Sequence, residues 1–266
     1  MRARQFVPYQ EALLNFQTDL IASDGFVLPA YVALPKRTPR GSVVVLQEIF
    51  GVNSHIRSVV DKLADAGYLA VAPALFHRAQ EGVELGYAAD DLTAGRALKD
   101  KMEKLKTSEG AALPLQVLLD VQAAVTYAGT AAKMDTMDTK MAGGKPGPVA
   151  VMGFCWGGLL AWRAACWLKG LSAAVPYYGG GMTVGAELAH KPRCPVLCHF
   201  GDQDKHITID TVKAFELAHK GGRPEVEVRV YAADHGFHCD QRGSYNAAAA
   251  ELAWGRSLDF LGDCLR

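Results

Sequence analysis

No stretch of this 266-residue chain approaches the roughly 18 consecutive apolar residues of a membrane span; the apolar stretches 43–46 and 117–125 fall well short. An excess of one charge is missing too. Lys+Arg and Asp+Glu both total 28, so the chain carries no overall field that would draw it to nucleic acid or anionic lipid. Cysteine is scarce. The six residues show no disulfide-framework spacing and are expected as free thiols. Cys194 and Cys198 lack the tight two-residue gap of zinc motifs and sit in an alternating apolar stretch, so they read as buried strand thiols. The basic start, Met1-Arg2-Ala3-Arg4, runs into polar residues rather than an apolar segment. A secretion signal is therefore not expected, and the cytoplasm is the expected compartment. No metal, organic cofactor, nucleic acid or membrane partner is expected, and the oligomeric state is not legible.

What is present is strand–helix alternation. Residues 15–21 and 26–34, joined by Ser23-Asp24-Gly25, read as an N-terminal antiparallel hairpin. Residues 42–47 form a short β-branched run suited to a strand covered on both faces. Asn53 or Ser54 can cap a helix that Gly67 ends, and residues 68–72 make the next strand. Later strands at 149–152, 172–176, 195–200 and 226–231 precede helices at about 156 onward, 208–219 and 245–261. This order predicts an α/β fold with a mainly parallel central sheet and helices on both faces. One domain over 1–266 is expected. Residues 78–108 are charged and read as helical, and 130–147 read as an exposed insertion.

The sharpest local pattern is Gly153-Phe154-Cys155-Trp156-Gly157-Gly158, between an apolar strand and an apolar helical stretch. Gly-x-Cys-x-Gly at that joint is a nucleophile elbow with cysteine in the usual serine place. The glycines are needed because strand and helix backbones pass close together there. The amide of Trp156, at the helix start, can hold an oxyanion. A buried packing thiol would share part of this pattern. A thiol nucleophile also needs a base, and the base an orienting group. Gly201-Asp202-Gln203-Asp204 follows one later strand, and Asp234-His235-Gly236-Phe237 follows the last. The order Cys155, Asp204, His235 fits the α/β-hydrolase fold. Asp202 and His238 compete for the acid and base positions. Asp202 reads better as a loop cap and His238 lies further from its strand, while His190, His199 and His206 read as structural or exposed. The loop Gln47-Glu48-Ile49-Phe50-Gly51 follows an early strand. There the Ile49 amide is the candidate second oxyanion donor, and Glu48 is either a site carboxylate or a solvated loop charge.

Together with Gly67-Tyr68, Pro73-Ala74-Leu75-Phe76 and Tyr177-Tyr178-Gly179, these motifs resemble the dienelactone hydrolase family from about residue 16 to 260. The resemblance implies a Cys-His-Asp triad and hydrolysis of a small ester or lactone, by default an enol-lactone bearing a carboxylate. It also implies a glutamate, Glu48 here, that the resting thiol contacts, with thiolate formation promoted by substrate. Members acting on dienelactones hold the substrate carboxylate with arginines. One usually stands near position 239, which is cysteine here, leaving Arg242 as the next candidate. For the second, Arg78 or Arg96 could serve, with Arg78 the expected one. A general carboxylesterase or thioesterase on the same fold, and more remotely a non-catalytic redox sensor using Cys155, are the alternatives.

Overall fold

The computed structural model describes residues 14–108, 114–131 and 147–266. Strand β1 (Leu14–Ile21) turns through Gly25, at φ +82°, into β2 (Val27–Leu34), and the two pair antiparallel from Leu14↔Leu34 to Ile21↔Val27. Then come β3 (Ser42–Leu46), helix α1 (Ser54–Asp65), β4 (Leu69–Pro73), α2 (Ala89–Met102) and α3 (Gln116–Ala131). The second half runs β5 (Val149–Phe154), α4 (Trp156–Trp167), β6 (Ala173–Tyr177), β7 (Val196–Gly201), α5 (Ile209–His219), β8 (Val226–Tyr231) and α6 (Ala247–Cys264). The eight strands form one sheet in the order β1-β2-β4-β3-β5-β6-β7-β8. Strands β3 to β8 are parallel; β2 joins β4 antiparallel.

This is the expected α/β-hydrolase arrangement. Strands β3 to β7 are buried along their whole length, as their unbroken apolar runs require when helices cover both faces. The edge strands β1 and β8 are largely exposed and carry the polar alternation. Among the described residues no helix is long and apolar enough to cross a membrane.

Two expectations change. The charged stretch 78–108 is only partly helical: α2 covers Ala89–Met102, while Glu84 bridges to Gly51 in an irregular segment. Helix α3 was not legible. More than half of it is buried against the sheet, and its polar face is only the narrow stripe Gln122, Thr126 and Thr130. It runs through Thr130 to Ala131; the rest of the expected insertion, up to residue 146, lies outside the described residues.

Candidate active site

The site gathers at the carboxyl ends of β3, β5, β7 and β8, where parallel sheets open a crevice. Cys155, between β5 and α4, is the sharpest point of the backbone, at φ +55° and ψ −113°. A non-glycine residue held there stores on the order of 1–3 kcal/mol. The surrounding contacts explain the glycines. A Cβ on Gly153 would sit 1.9 Å from the Gly157 carbonyl oxygen, and one on Gly157 would sit 2.2 Å from that of Leu46. One on Gly158 would meet the Tyr177 carbonyl oxygen at 2.4 Å. The elbow forms only because none of the three carries a side chain. The Cys155 amide donates to the Tyr177 carbonyl at 3.1 Å and so fixes the turn to β6.

His235 Nδ1 donates to Asp204 Oδ2 at 2.6 Å, and the ring lines the same cavity as Cys155. The other Asp204 oxygen accepts from the amides of His206 (2.8 Å) and Ile207 (3.0 Å). Burial opposes the Asp204 charge, but the His235 hydrogen bond, its charge and these two amides outweigh it and hold the carboxyl below its usual range. Burial likewise opposes a charged His235. The neighbouring Cys155 sulfur, the hydrogen bond to Asp204 and the Asp204 charge prevail and raise the imidazole to about 10. A protonated His235 thus faces the sulfur at neutral pH.

The competing residues stand elsewhere. The Asp202 side chain is exposed, and its amide donates to the Tyr231 carbonyl. His238 is buried against Phe154, Tyr177 and Trp254, and burial lowers it to about 3, so it is neutral. His199 is wholly buried between the hydroxyls of Tyr231 and Ser257. Among the described residues, no hydrogen bond occupies the amide of Ile49 or of Trp156. Both lie beside Cys155, because Gly157 packs on the carbonyl oxygens of Leu46 and Gln47.

Glu48 is 1 % exposed, so it is not a solvated loop charge. Arg242 Nη1 donates to its Oε1 at 3.0 Å, and Oε2 has no hydrogen-bond partner. The resemblance implies a contact between Glu48 and the thiol; the hydrogen bond that Glu48 makes here is to Arg242. Arg242 lies 5.7 Å from the Phe50 ring centre and 6.0 Å from that of Tyr87. Gly236 makes room for it, since a Cβ there would stand 2.4 Å from the guanidinium. The position three residues before Arg242 holds Cys239, whose thiol donates to the Tyr87 hydroxyl at 3.2 Å.

Arg78 is not near this cluster. Its guanidinium bonds both oxygens of buried Asp120 at 2.8–3.0 Å, reaches Asp24, and covers the Phe26 ring at 4.1 Å. It joins α3 to the N-terminal hairpin and does not line the cavity above Cys155. That cavity, about 500 Å³, is lined instead by Ile49, Phe50, Leu92, His235 and Arg242, with Arg96, Lys99 and Lys205 also on its wall. Arg78→Ala should therefore lower Tm, because it strands the Asp120 carboxylate at a typical cost of about 3–5 kcal/mol. KM for any ester should stay unchanged in the folded fraction. A KM effect without loss of Tm would place Arg78 in the substrate pocket after all.

The sequence pattern of the dienelactone hydrolase family matches residues 28–265. The chain belongs to this family. A Pseudomonas putida carboxymethylenebutenolidase is 32% identical over 240 residues, covering 90% of this chain and 92% of its own. A Synechocystis protein provisionally given the same name is 35% identical, with 88% and 91% covered. A crystal structure from Klebsiella pneumoniae, provisionally assigned as a dienelactone hydrolase, superposes with a TM-score of 0.72 at 30% identity, covering 93% of this chain and 98% of its own. As a dienelactone hydrolase relative, the chain is a carboxylic ester or lactone hydrolase.

One group of side chains in this family member could suggest a metal. Ligand atoms of Glu48, His55 and Cys239 lie within 4.8 Å of one another. Two facts oppose it. Arg242 already places a cation against Glu48, and burial pushes the Cys239 thiol up to about 11, so it keeps its proton at neutral pH. Asn53, expected as a helix cap, caps α1 and also braces this corner through a 3.0 Å hydrogen bond to Tyr87, a residue the sequence reading missed because no motif marks it.

Proposed function

We propose that this hydrolase cleaves a small carboxylated ester or enol-lactone through a thioester on Cys155. The observation that carries the reading is the Asp204–His235 hydrogen bond at the cavity that holds Cys155, beside the two unoccupied amides. The sulfur attacks the carbonyl carbon, and the amides of Ile49 and Trp156 take the developing oxyanion. His235, oriented by Asp204, gives its proton to the departing oxygen when the tetrahedral intermediate collapses to the thioester. The same imidazole, now neutral, takes a proton from water as water attacks the thioester. Collapse releases the acid and returns the thiol. No residue in this sequence needs a cofactor.

Glu48 and Arg242 give the site its dependence on substrate charge. A substrate carboxylate competes with Glu48 for the guanidinium through charge-assisted bonds. Glu48, freed, can accept the thiol proton. The carboxymethylenebutenolidase names of the relatives point to the same substrate class. Replacing Arg242 with Ala should raise KM for an anionic lactone about 10–100-fold, the loss of a hydrogen bond to a charged group. KM for a neutral aryl ester should change far less. Equal effects on the two substrates would remove the anionic pocket from this reading.

The nucleophile is tested by alkylation with peptide mapping. Cys155 is half-buried at the cavity, whereas burial raises Cys166 and Cys194 to about 12 and Cys198 further. One equivalent of iodoacetamide should modify Cys155 and abolish turnover. Loss of activity that tracks another cysteine contradicts the assignment.

A further inference from the structure

Helix α2 borders the cavity above Cys155, yet only Gly95 and Met102 of its residues are buried, so little apolar surface holds it. Two of its anchorages grip residues that supply an oxyanion amide. Gly95 packs on Ile49: a Cβ there would stand 2.2 Å from the Ile49 carbonyl oxygen and 3.3 Å from the Ile49 Cβ. Glycine inside a helix is unfavourable, and this contact is what requires it. Glu103 stands at the C-cap of α2, and its Oε1 accepts from the Trp156 indole Nε1 at 2.8 Å. Arg163, two turns after Trp156 on α4, bonds both Glu103 oxygens at 2.8–2.9 Å. Its Nε also donates to Glu187, between β6 and β7, at 2.7 Å. Phe76 stacks on the Trp156 ring with 5.0 Å between centres. The indole is thus held on its face and at its edge, and the backbone that carries it has little freedom.

We propose that α2 sets the spacing of the two oxyanion amides, with Gly95 and Glu103 as positioning residues. This rests on the reading above that the amides of Ile49 and Trp156 hold the oxyanion. The donors follow different strands, β3 and β5, and α2 spans the gap beyond the strand ends. It touches the Ile49 backbone near its middle and the Trp156 side chain at its end. A donor stabilises the tetrahedral intermediate only when aimed at its oxygen from about 2.7–3.1 Å. One helix tied to both donors keeps that aim while substrate enters and product leaves. Neither Gly95 nor Glu103 lines the cavity, so each acts through the donor it holds.

The test compares turnover of neutral p-nitrophenyl acetate with inhibition by phenyl trifluoromethyl ketone. The Cys155 sulfur adds to the ketone carbon, the carbonyl electron pair moves to oxygen as the oxyanion, and the thiol proton rests on His235. Glu103→Leu should lower kcat/KM about 10–100-fold, the scale of a small misplacement. The ketone Ki should rise by the same factor. Trp156→Phe keeps the backbone amide, removes the indole donor and should match it, carrying the test if Glu103→Leu does not fold. Together the two should cost no more than either alone, because they cut one hydrogen bond. Glu103→Gln retains an acceptor oxygen for Trp156 and should restore most of the activity. Gly95→Ala should move kcat/KM and Ki together, through Ile49. Acetophenone, which resists the addition, should bind every variant as it binds wild type. Variants that lose Tm but keep kcat/KM and Ki overturn the proposal, since α2 is then only a structural prop. Losses that multiply in the double variant overturn the Glu103 link. A fall in kcat/KM without the matching rise in Ki, or weaker acetophenone binding, also overturns the proposal, because α2 then shapes the cavity instead. If wild type binds the trifluoromethyl ketone no tighter than acetophenone, the oxyanion reading itself fails and takes the proposal with it.

Discussion

Asp204→Asn is expected to leave the fold intact and to lower kcat by about 10²–10⁴, the usual contribution of an oriented general base. The asparagine oxygen can still accept from the amides of His206 and Ile207, so the loop between β7 and α5 keeps its shape. Its amide nitrogen, however, stands where the carboxylate accepted from His235 Nδ1 at 2.6 Å. A donor in that place forces the imidazole proton onto the other nitrogen, the wrong tautomer for taking a proton from the water that attacks the thioester. The pH profile carries a second signature. The Asp204 charge and hydrogen bond help raise His235 to about 10. Removing them lowers that value, so the alkaline limb of kcat, where the imidazolium loses the proton it gives the leaving group, should move to lower pH. Asp202→Asn serves as the control and should cost little, since its side chain is exposed. The carboxylate has been misassigned if Asp202→Asn proves the more damaging change in a folded protein.

Glu48→Gln should reduce kcat for a carboxylated lactone by at least about 10², on the scale of a lost proton acceptor. The substitution keeps the shape and a neutral hydrogen bond to Arg242 but removes both the charge and the acceptor. It also removes a negative charge from a buried site next to the nucleophile, and such a charge opposes thiolate formation. Iodoacetamide should therefore modify Cys155 in the free variant as fast as in wild type or faster, while turnover collapses. That opposite movement separates a role in substrate-triggered activation from general damage to the elbow. Unchanged kcat would leave Glu48 as a buried partner of Arg242 and nothing more.

The legible parts of this molecule are those where local chemistry and backbone geometry coincide. Gly153, Gly157 and Gly158 mark the elbow because close backbone approach admits no other residue. Asp204 and His235 could be placed because each follows a legible strand, the apolar run of β7 and the alternating Val-Glu-Val-Arg-Val-Tyr of β8. Helix α3 escaped notice because its polar stripe, Gln122, Thr126 and Thr130, is narrow beside its long apolar run. Arg78 was read as a substrate ligand because its position after β4 fits a loop arginine, yet only tertiary structure reveals the buried Asp120 that holds it. The pairing of Glu48 with Arg242 joins residues 194 positions apart. No pattern along the chain could bring those charges to one wall.

The central claim is a thioester on Cys155, and rapid-quench mass spectrometry tests it most directly. A slowly deacylating ester is mixed with wild-type enzyme, quenched in acid during the first turnovers and digested. The predicted result is a peptide spanning Cys155 that is heavier by the acyl group, loses it to neutral hydroxylamine as a thioester does, and is absent from Cys155→Ala. Full turnover with no adduct on that peptide, or an adduct on another residue, would contradict the account.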